Sequence, residues 1–244
     1  MLCVKNLYKF YGDKMVLNDI NFTIKKGSCT AIIGESGSGK STLARLILGL
    51  ERADSGEILY ENLSLTKWKN SGKNTLSVVF QDYNTSINPN FKVREILSEP
   101  FWGRKDDINF KEILNNVWLN ETFLDRYSHE LSGGQLQRIC IARAIAIKPK
   151  ILVLDEPLSS LDVSVGFEIL KLLKDLKQRL DMSFIFITHD LESVAFLCDR
   201  VIVLRNGVID DDINLKNIDK SSFSDYTKRL ISSVIPINLK SNNV

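Results

Sequence analysis

Gly34-Glu35-Ser36-Gly37-Ser38-Gly39-Lys40-Ser41 spaces three glycines ahead of a lysine and a hydroxyl residue. This is the P-loop pattern, in which glycine backbone lets successive N–H groups wrap nucleotide phosphates while the lysine supplies a point charge. The flanks agree with it. Thr30 to Ile33 is a short apolar strand candidate, and Thr42 to Leu50 reads as a helix whose positive N-terminal end faces the phosphates.

Strand patterns alternate with helical ones through most of the chain, which predicts an α/β fold on a largely parallel sheet. Before the loop, Leu2-Cys3-Val4 and Ile20 to Ile24 alternate apolar and polar residues, as antiparallel strands do. After it, Gly56 to Tyr60 and Leu76 to Phe80 are strand candidates. From Phe91 to Lys148 the spacing turns helical, through Val93, Ile96 and Leu97, then Ile113, Leu114, Val117 and Trp118, then a helix from Gln135 to Ile147. Ile151 to Leu154 and Phe184 to Ile187 are fully apolar strands, separated by a helix through Ile169 and Leu176. Leu191 to Leu197 reads as a short helix. Arg200 to Ile209 reads as a hairpin turning at Asn206-Gly207, and Asp210-Asp211-Asp212 opens a looser polar tail.

Two further stretches carry chemistry. Asp155 and Glu156 end an apolar strand, where one carboxylate can hold Mg²⁺ and the next can polarise an attacking water; Asp155 is the metal candidate and Glu156 the base. Leu131-Ser132-Gly133-Gly134-Gln135 places serine and glycines at a helix start, a second anion site. Whether both anion sites grip one nucleotide within a single chain is a question of geometry.

Composition excludes several classes. Of 244 residues, 44% are hydrophobic and 25% charged, so a sizeable core can form. The 32 basic and 30 acidic residues give a net charge of +2, which offers no electrostatic case for a nucleic-acid partner. No apolar run reaches the roughly eighteen residues of a spanning helix. The start is charged where a secretory leader would be apolar, which places the expected site of action in the cytosol. Cys3, Cys29, Cys140 and Cys198 are scattered, so we expect four buried thiols and neither a zinc site nor a disulfide frame. The two histidines are His129, a surface residue, and His189, after a strand end.

The ordered set Gly34 to Ser41, Gln81, Leu131 to Gln135, Asp155-Glu156, Ser160-Leu161-Asp162 and His189 resembles the successive motifs of an ABC transporter ATPase subunit, across nearly the whole chain. That resemblance implies an α/β P-loop NTPase fold of the ABC ATPase type, with a mixed-sheet core, an antiparallel β subdomain and a helical subdomain. Residues 1–81 with 149–210 would form the nucleotide-binding core and β subdomain, 82–148 the helical subdomain, and 211–244 a C-terminal tail. It implies ATP as substrate with Mg²⁺, and a head-to-tail pair in which each P-loop faces the partner's LSGGQ. Tyr11 would stack on adenine. Gly34 to Ser41 and Thr42 would hold the phosphates, with Ser41, Gln81 and Asp155 at Mg²⁺. Ser132, Gly133, Gly134 and Gln135 would hold the nucleotide of the opposite site, Asp162 would link the two sites, and Gln81, Glu156 and His189 would serve hydrolysis.

Within that family, Phe80-Gln81-Asp82, Ile87-Asn88-Pro89, Val93 to Leu97 and Glu99-Pro100 resemble the dipeptide, oligopeptide and nickel importer branch. Ser41 to Leu46 and Gly134 to Arg138 resemble its nickel or metallophore import ATPases, and Tyr226-Thr227-Lys228-Arg229-Leu230 echoes the branch's C-terminal tail. The implied partners are two transmembrane permeases, a second ATPase subunit, related or identical, and an extracytoplasmic solute-binding protein. The implied place is the cytoplasmic face of the membrane. The stretch from Pro100 to Tyr127 is shorter than the branch's and shares little with it, and no cysteine-rich C-terminal segment for an iron–sulfur cluster is present. The alternative is a soluble ABC ATPase acting on nucleic acid or the ribosome; such proteins carry coiled-coil insertions or tandem cassettes, whereas here one cassette fills the chain.

Overall fold

The structure, a computed structural model, describes residues 1–70, 76–82, 85–103, 107–218 and 223–232. In chain order its elements are β1 (Leu2–Tyr11), β2 (Lys14–Ile24), β3 (Cys29–Ile33), α1 (Lys40–Leu48), β4 (Ser55–Tyr60), β5 (Leu63–Ser64), α2 (Leu65–Asn70), β6 (Leu76–Val79), α3 (Val93–Ser98) and α4 (Phe110–Asn116). They continue with α5 (Gly133–Ile145), β7 (Ile151–Asp155), α6 (Val163–Arg179), β8 (Ser183–Ile187), α7 (Leu191–Leu197), β9 (Arg200–Arg205), β10 (Val208–Asn214) and α8 (Asp225–Ser232).

A six-stranded sheet runs β10-β9-β3-β8-β7-β6, parallel throughout except for the antiparallel hairpin partner β10. A second sheet, β2-β1-β4-β5, is antiparallel. The fully apolar strands are explained by burial on both faces, since neighbouring residues on a strand point to opposite sides. Leu152, Leu154, Phe184 and Phe186 join one core with α5, α6 and α7, while Ile151, Val153, Ile185 and Ile187 join the other. That second core also takes Leu43, Leu46 and Ile47 of α1 together with Leu2, Leu17 and Ile20 of the antiparallel sheet. Helix α1 is thus held between the two sheets, and burying each of those large side chains contributes about 1.5–3 kcal/mol.

Several boundaries differ from the sequence reading. Helix α1 begins at Lys40, inside the glycine motif, and stops at Gly49, whose φ of +63° supplies the left-handed turn of a helix end. Helix α5 runs from Gly133 to Ile145, and α4 stops at Asn116. Trp118 lies beyond α4 at φ +59°, half-exposed, with the Arg138 guanidinium 5.1 Å from its ring centroid. The tail expected from residue 211 is, in its described part, ordered secondary structure: Asp210–Asp212 lie within β10, and Asp225–Ser232 form α8. Charge is what an edge strand tolerates and uses against unwanted pairing, so the aspartates disguised it. Residues 219–222 and 233–244 of that tail lie outside the described residues. Cys29, Cys140 and Cys198 are buried and Cys3 only half-buried, all as free thiols. Among the described residues no helix is long and apolar enough to cross a membrane.

Candidate active site

The P-loop leaves β3 at the C-terminal edge of the parallel sheet and enters α1. Gly34 has no room for a side chain, because a Cβ there would lie 2.1 Å from the Leu204 carbonyl oxygen. Gly39 occupies the N-cap of α1 at φ +107° and provides no side-chain cap, so the first N–H groups of that helix are left for an outside acceptor. The Lys40 ammonium donates to the carbonyl oxygens of Gly34 and Glu35, both at 2.8 Å. An ammonium has three donors, so one remains for a ligand. Burial lowers the Lys40 pKa from its ordinary value, partly opposed by the Glu156 and Asp155 carboxylates. The Ser38 hydroxyl is buried without a hydrogen-bond partner, and it sits in the same loop.

The loop and the start of α1 border a cavity of about 760 Å³ lined by Lys14, Met15, Val16, Gly34, Ser36, Gly37, Gly39, Lys40, Ser41, Thr42, Gln81, Glu156, His189, Asn206 and Gly207, with Ser38 buried behind it. An uncapped helix start and a spare ammonium proton beside one hollow fit a polyphosphate anion.

The groups of hydrolysis line the same cavity. Strand β7 ends at Asp155, and Glu156 turns off it at φ +45°, held there because its N–H donates to the Ile187 carbonyl at 2.8 Å. A left-handed glutamate costs of order 1–3 kcal/mol, retained where it aims a side chain. The Glu156 carboxylate receives the Gln81 amide at 3.2 Å and lies 3.4 Å from His189 Nδ1. Behind it, burial first and the Glu156 charge second raise the Asp155 pKa, with Arg45 and Lys40 opposing. His189 follows the buried Thr188, whose Oγ1 accepts from the Asp190 N–H at 3.0 Å, and Asp190 then caps α7. Gln81, Glu156 and His189 therefore converge from three separate strand ends.

The LSGGQ segment lies elsewhere. Ser132 caps α5 by accepting from the Gln135 N–H at 3.3 Å, and Gln135 Oε1 accepts from the Ser132 N–H at 3.0 Å, a closed capping box. A Cβ on Gly134 would come within 2.6 Å of Val165 Cγ1, so the glycine lets α5 approach α6. Asp162 is the exposed N-cap residue of α6. Ser132, Gly133, Gly134, Gln135 and Asp162 do not line the P-loop cavity. Nor does Tyr11, the half-exposed last residue of β1, with its hydroxyl bonded to Glu51 and the Lys9 ammonium 5.3 Å from its ring centroid.

Sequence reasoning missed Lys14, Met15 and Val16, which reach the cavity from β2. It also missed Gln137, fully buried on α5, whose side-chain amide donates to the Pro157 carbonyl at 2.7 Å and ties the LSGGQ helix to the turn after Glu156. The Asn206-Gly207 turn was legible as a turn but not as a wall: Gly207 accepts from the Asn18 N–H at 2.8 Å and donates to the Ser38 carbonyl at 3.1 Å.

Comparisons with known proteins identify the family. The family model described as ABC transporter matches residues 17–159. The metal-staphylopine import system ATP-binding protein CntF of Staphylococcus aureus is 41% identical over 222 residues, 88% of each chain. The oligopeptide transport ATP-binding protein AppF of Bacillus subtilis is 36% identical over 244 residues, 96% of this chain and 74% of its own. Among solved structures, the dimeric ATP-binding cassette MJ0796 in a post-hydrolysis state with ADP and Pi superposes with a TM-score of 0.77 at 30% identity, over 89% of this chain and 100% of that one. The chain belongs to the ABC transporter family, and it is an ATP-binding, ATP-hydrolysing cassette.

Proposed function

We propose that this cassette is the peripheral motor of an importer, working at the cytoplasmic face of a membrane beneath two permease subunits and paired with a second cassette. The importer reading is supported by CntF and AppF, both named as import or transport ATP-binding proteins, and by the matching residues from Phe80 to Pro100. Its cargo class is a metal ion, such as nickel, a metal chelate or a small peptide, delivered by an extracytoplasmic solute-binding protein. In this reading the core comprises the described parts of residues 1–81 and 149–214, β10 included, and the described parts of 82–148 are the arm that presents the LSGGQ helix to the partner cassette.

The single observation that carries the mechanism is the Glu156 carboxylate, fixed between Gln81 and His189 in the cavity that Lys40 also lines. ATP phosphates settle on the uncapped start of α1, where the Lys40 ammonium offers them its third donor while the other two stay on the loop carbonyls. Glu156 orients a water toward the γ-phosphate and takes its proton, while His189 contacts that phosphate. Ser41, Gln81 and Asp155 would hold Mg²⁺, a hard cation suited to such oxygen donors, which neutralises phosphate charge when bound. Among the described residues no three His, Cys, Asp or Glu side chains converge, so the ion would rely on hydroxyl, amide and phosphate oxygens beside Asp155. The LSGGQ helix start and Asp162, outside their own chain's cavity, would complete the partner's site.

The test is to extract the chain from native membranes in mild detergent and identify its companions by mass spectrometry. Two permeases, a second cassette and a solute-binding protein are the expected result. Recovery only in the soluble fraction with ribosomes or nucleic acid would overturn it.

A further inference from the structure

The described C-terminal helix returns to the nucleotide site. Helix α8 is fastened to β10 through Ser224, whose N–H donates to the Asp211 carboxylate at 3.1 Å and whose hydroxyl bonds Asp210. Ser224 Oγ in turn accepts from the Thr227 N–H at 3.1 Å. This anchoring buries Tyr226 against the core, with the Arg205 guanidinium 4.7 Å from its ring centroid. Its hydroxyl oxygen accepts from the Glu35 N–H at 3.2 Å.

That N–H belongs to the peptide unit joining Gly34 to Glu35. The carbonyl of the same unit, Gly34 O, accepts the Lys40 ammonium at 2.8 Å. A trans peptide is planar with N–H and C=O on opposite sides, so it cannot turn at one end without turning at the other. Tyr226 and Lys40 therefore grip one rigid plate from its two edges. Two hydrogen bonds on one amide also polarise each other.

We propose that Tyr226 is a positioning residue for ATP: its hydroxyl sets the tilt of the Gly34–Glu35 peptide, and through it the place from which the Lys40 ammonium meets the phosphates. Tyr226 does not line the cavity that holds Gln81, Glu156 and His189, so it acts on binding and not on the chemical step. The inference rests on the nucleotide site and is independent of the cargo.

The test compares Tyr226→Phe with Thr227→Ala in the full chain. Phenylalanine keeps the buried ring beneath Arg205 and removes only the acceptor. KM for ATP should rise about three- to tenfold, the worth of one hydrogen bond, with kcat within twofold of wild type and Tm little changed. Thr227 is fully buried and its hydroxyl has no partner, so truncating it loosens α8 by packing alone. It should lower Tm and leave KM unchanged. An unaltered KM in Tyr226→Phe would overturn the proposal, as would a KM raised equally by Thr227→Ala, which would show that packing of the helix and not the hydroxyl matters. In wild type, the Glu35 amide should be protected from hydrogen exchange; rapid exchange there would also overturn it. A wild-type chain that binds no ATP would count instead against the motor function itself.

Discussion

Two glycine-rich segments of this chain start helices, and they use their free N–H groups in opposite ways. At Gly39 the N-cap has no side chain to offer, so the start of α1 remains open toward a cavity. At Ser132 a capping box takes up the N–H groups of Ser132 and Gln135, so the start of α5 carries a cap of its own. The first is built to take an anion within its own chain. The second is stable without one, and its place outside the cavity suits a surface that meets a ligand held by another subunit.

The largest expected effect isolates chemistry from binding at the open site. Glu156→Gln keeps the side chain's shape and should lower ATP turnover by about 10²–10⁴-fold, while nucleotide binding measured by equilibrium fluorescence persists. Wild-type turnover in that variant would remove Glu156 from the role of base. Next comes the contrast itself. Lys40→Ala should weaken ATP binding about ten- to a hundredfold, as expected for loss of a charge-assisted hydrogen bond. Ser132→Ala, titrated with ATP as an isolated monomer, should bind as wild type does; a matching loss there would mean that both helix starts serve one chain's nucleotide.

A smaller effect is structural. Opening the capping box in Ser132→Ala should cost about 0.5–2 kcal/mol. By calorimetry, each 1 kcal/mol lost should appear as a Tm lower by about 2–4 °C. The smallest effect concerns the far end of β3, opposite the P-loop. Burial raises the Asp199 pKa, but the Cys29 N–H, at 2.9 Å, and the Lys177 ammonium, at 2.6 Å, more than offset it and leave the value lowered. A depressed carboxylate contributes stability that is present above its unfolded pKa of about 3.9 and is lost as pH falls through the folded value. Asp199→Asn should flatten the fall of Tm between about pH 5 and pH 3 without changing ATP affinity. An unchanged acid slope would mean that Asp199 contributes nothing to it.

What was legible in the sequence was local. Gly34 to Ser41 carries its chemistry in its spacing, and Asp155-Glu156 carries it in the abrupt end of an apolar run. The parallel strands were legible because burial on both faces demands unbroken apolar residues. What escaped was whatever depends on distant parts of the chain meeting. Val16 and Gly207 touch across 191 positions, and neither residue type announces it. Gln137 looks like a surface helix residue until its amide is seen on the Pro157 carbonyl. Tyr226 was legible as part of a tail motif, whereas its bond to Glu35 depends on β10, an edge strand that its aspartates concealed.

Strand β3, which delivers the P-loop, has β8 on one side and β9 on the other, so its hydrogen-bonding neighbours come from residues 183–205. During synthesis, residues 29–41 leave the ribosome long before either neighbour exists. Sheets with such distant partners close slowly, after the loop entropy between them has been overcome. The segment that grips phosphate is made early and assembled late. A nascent chain halted before β9 therefore holds an intact P-loop sequence on a strand that lacks one of its two neighbours.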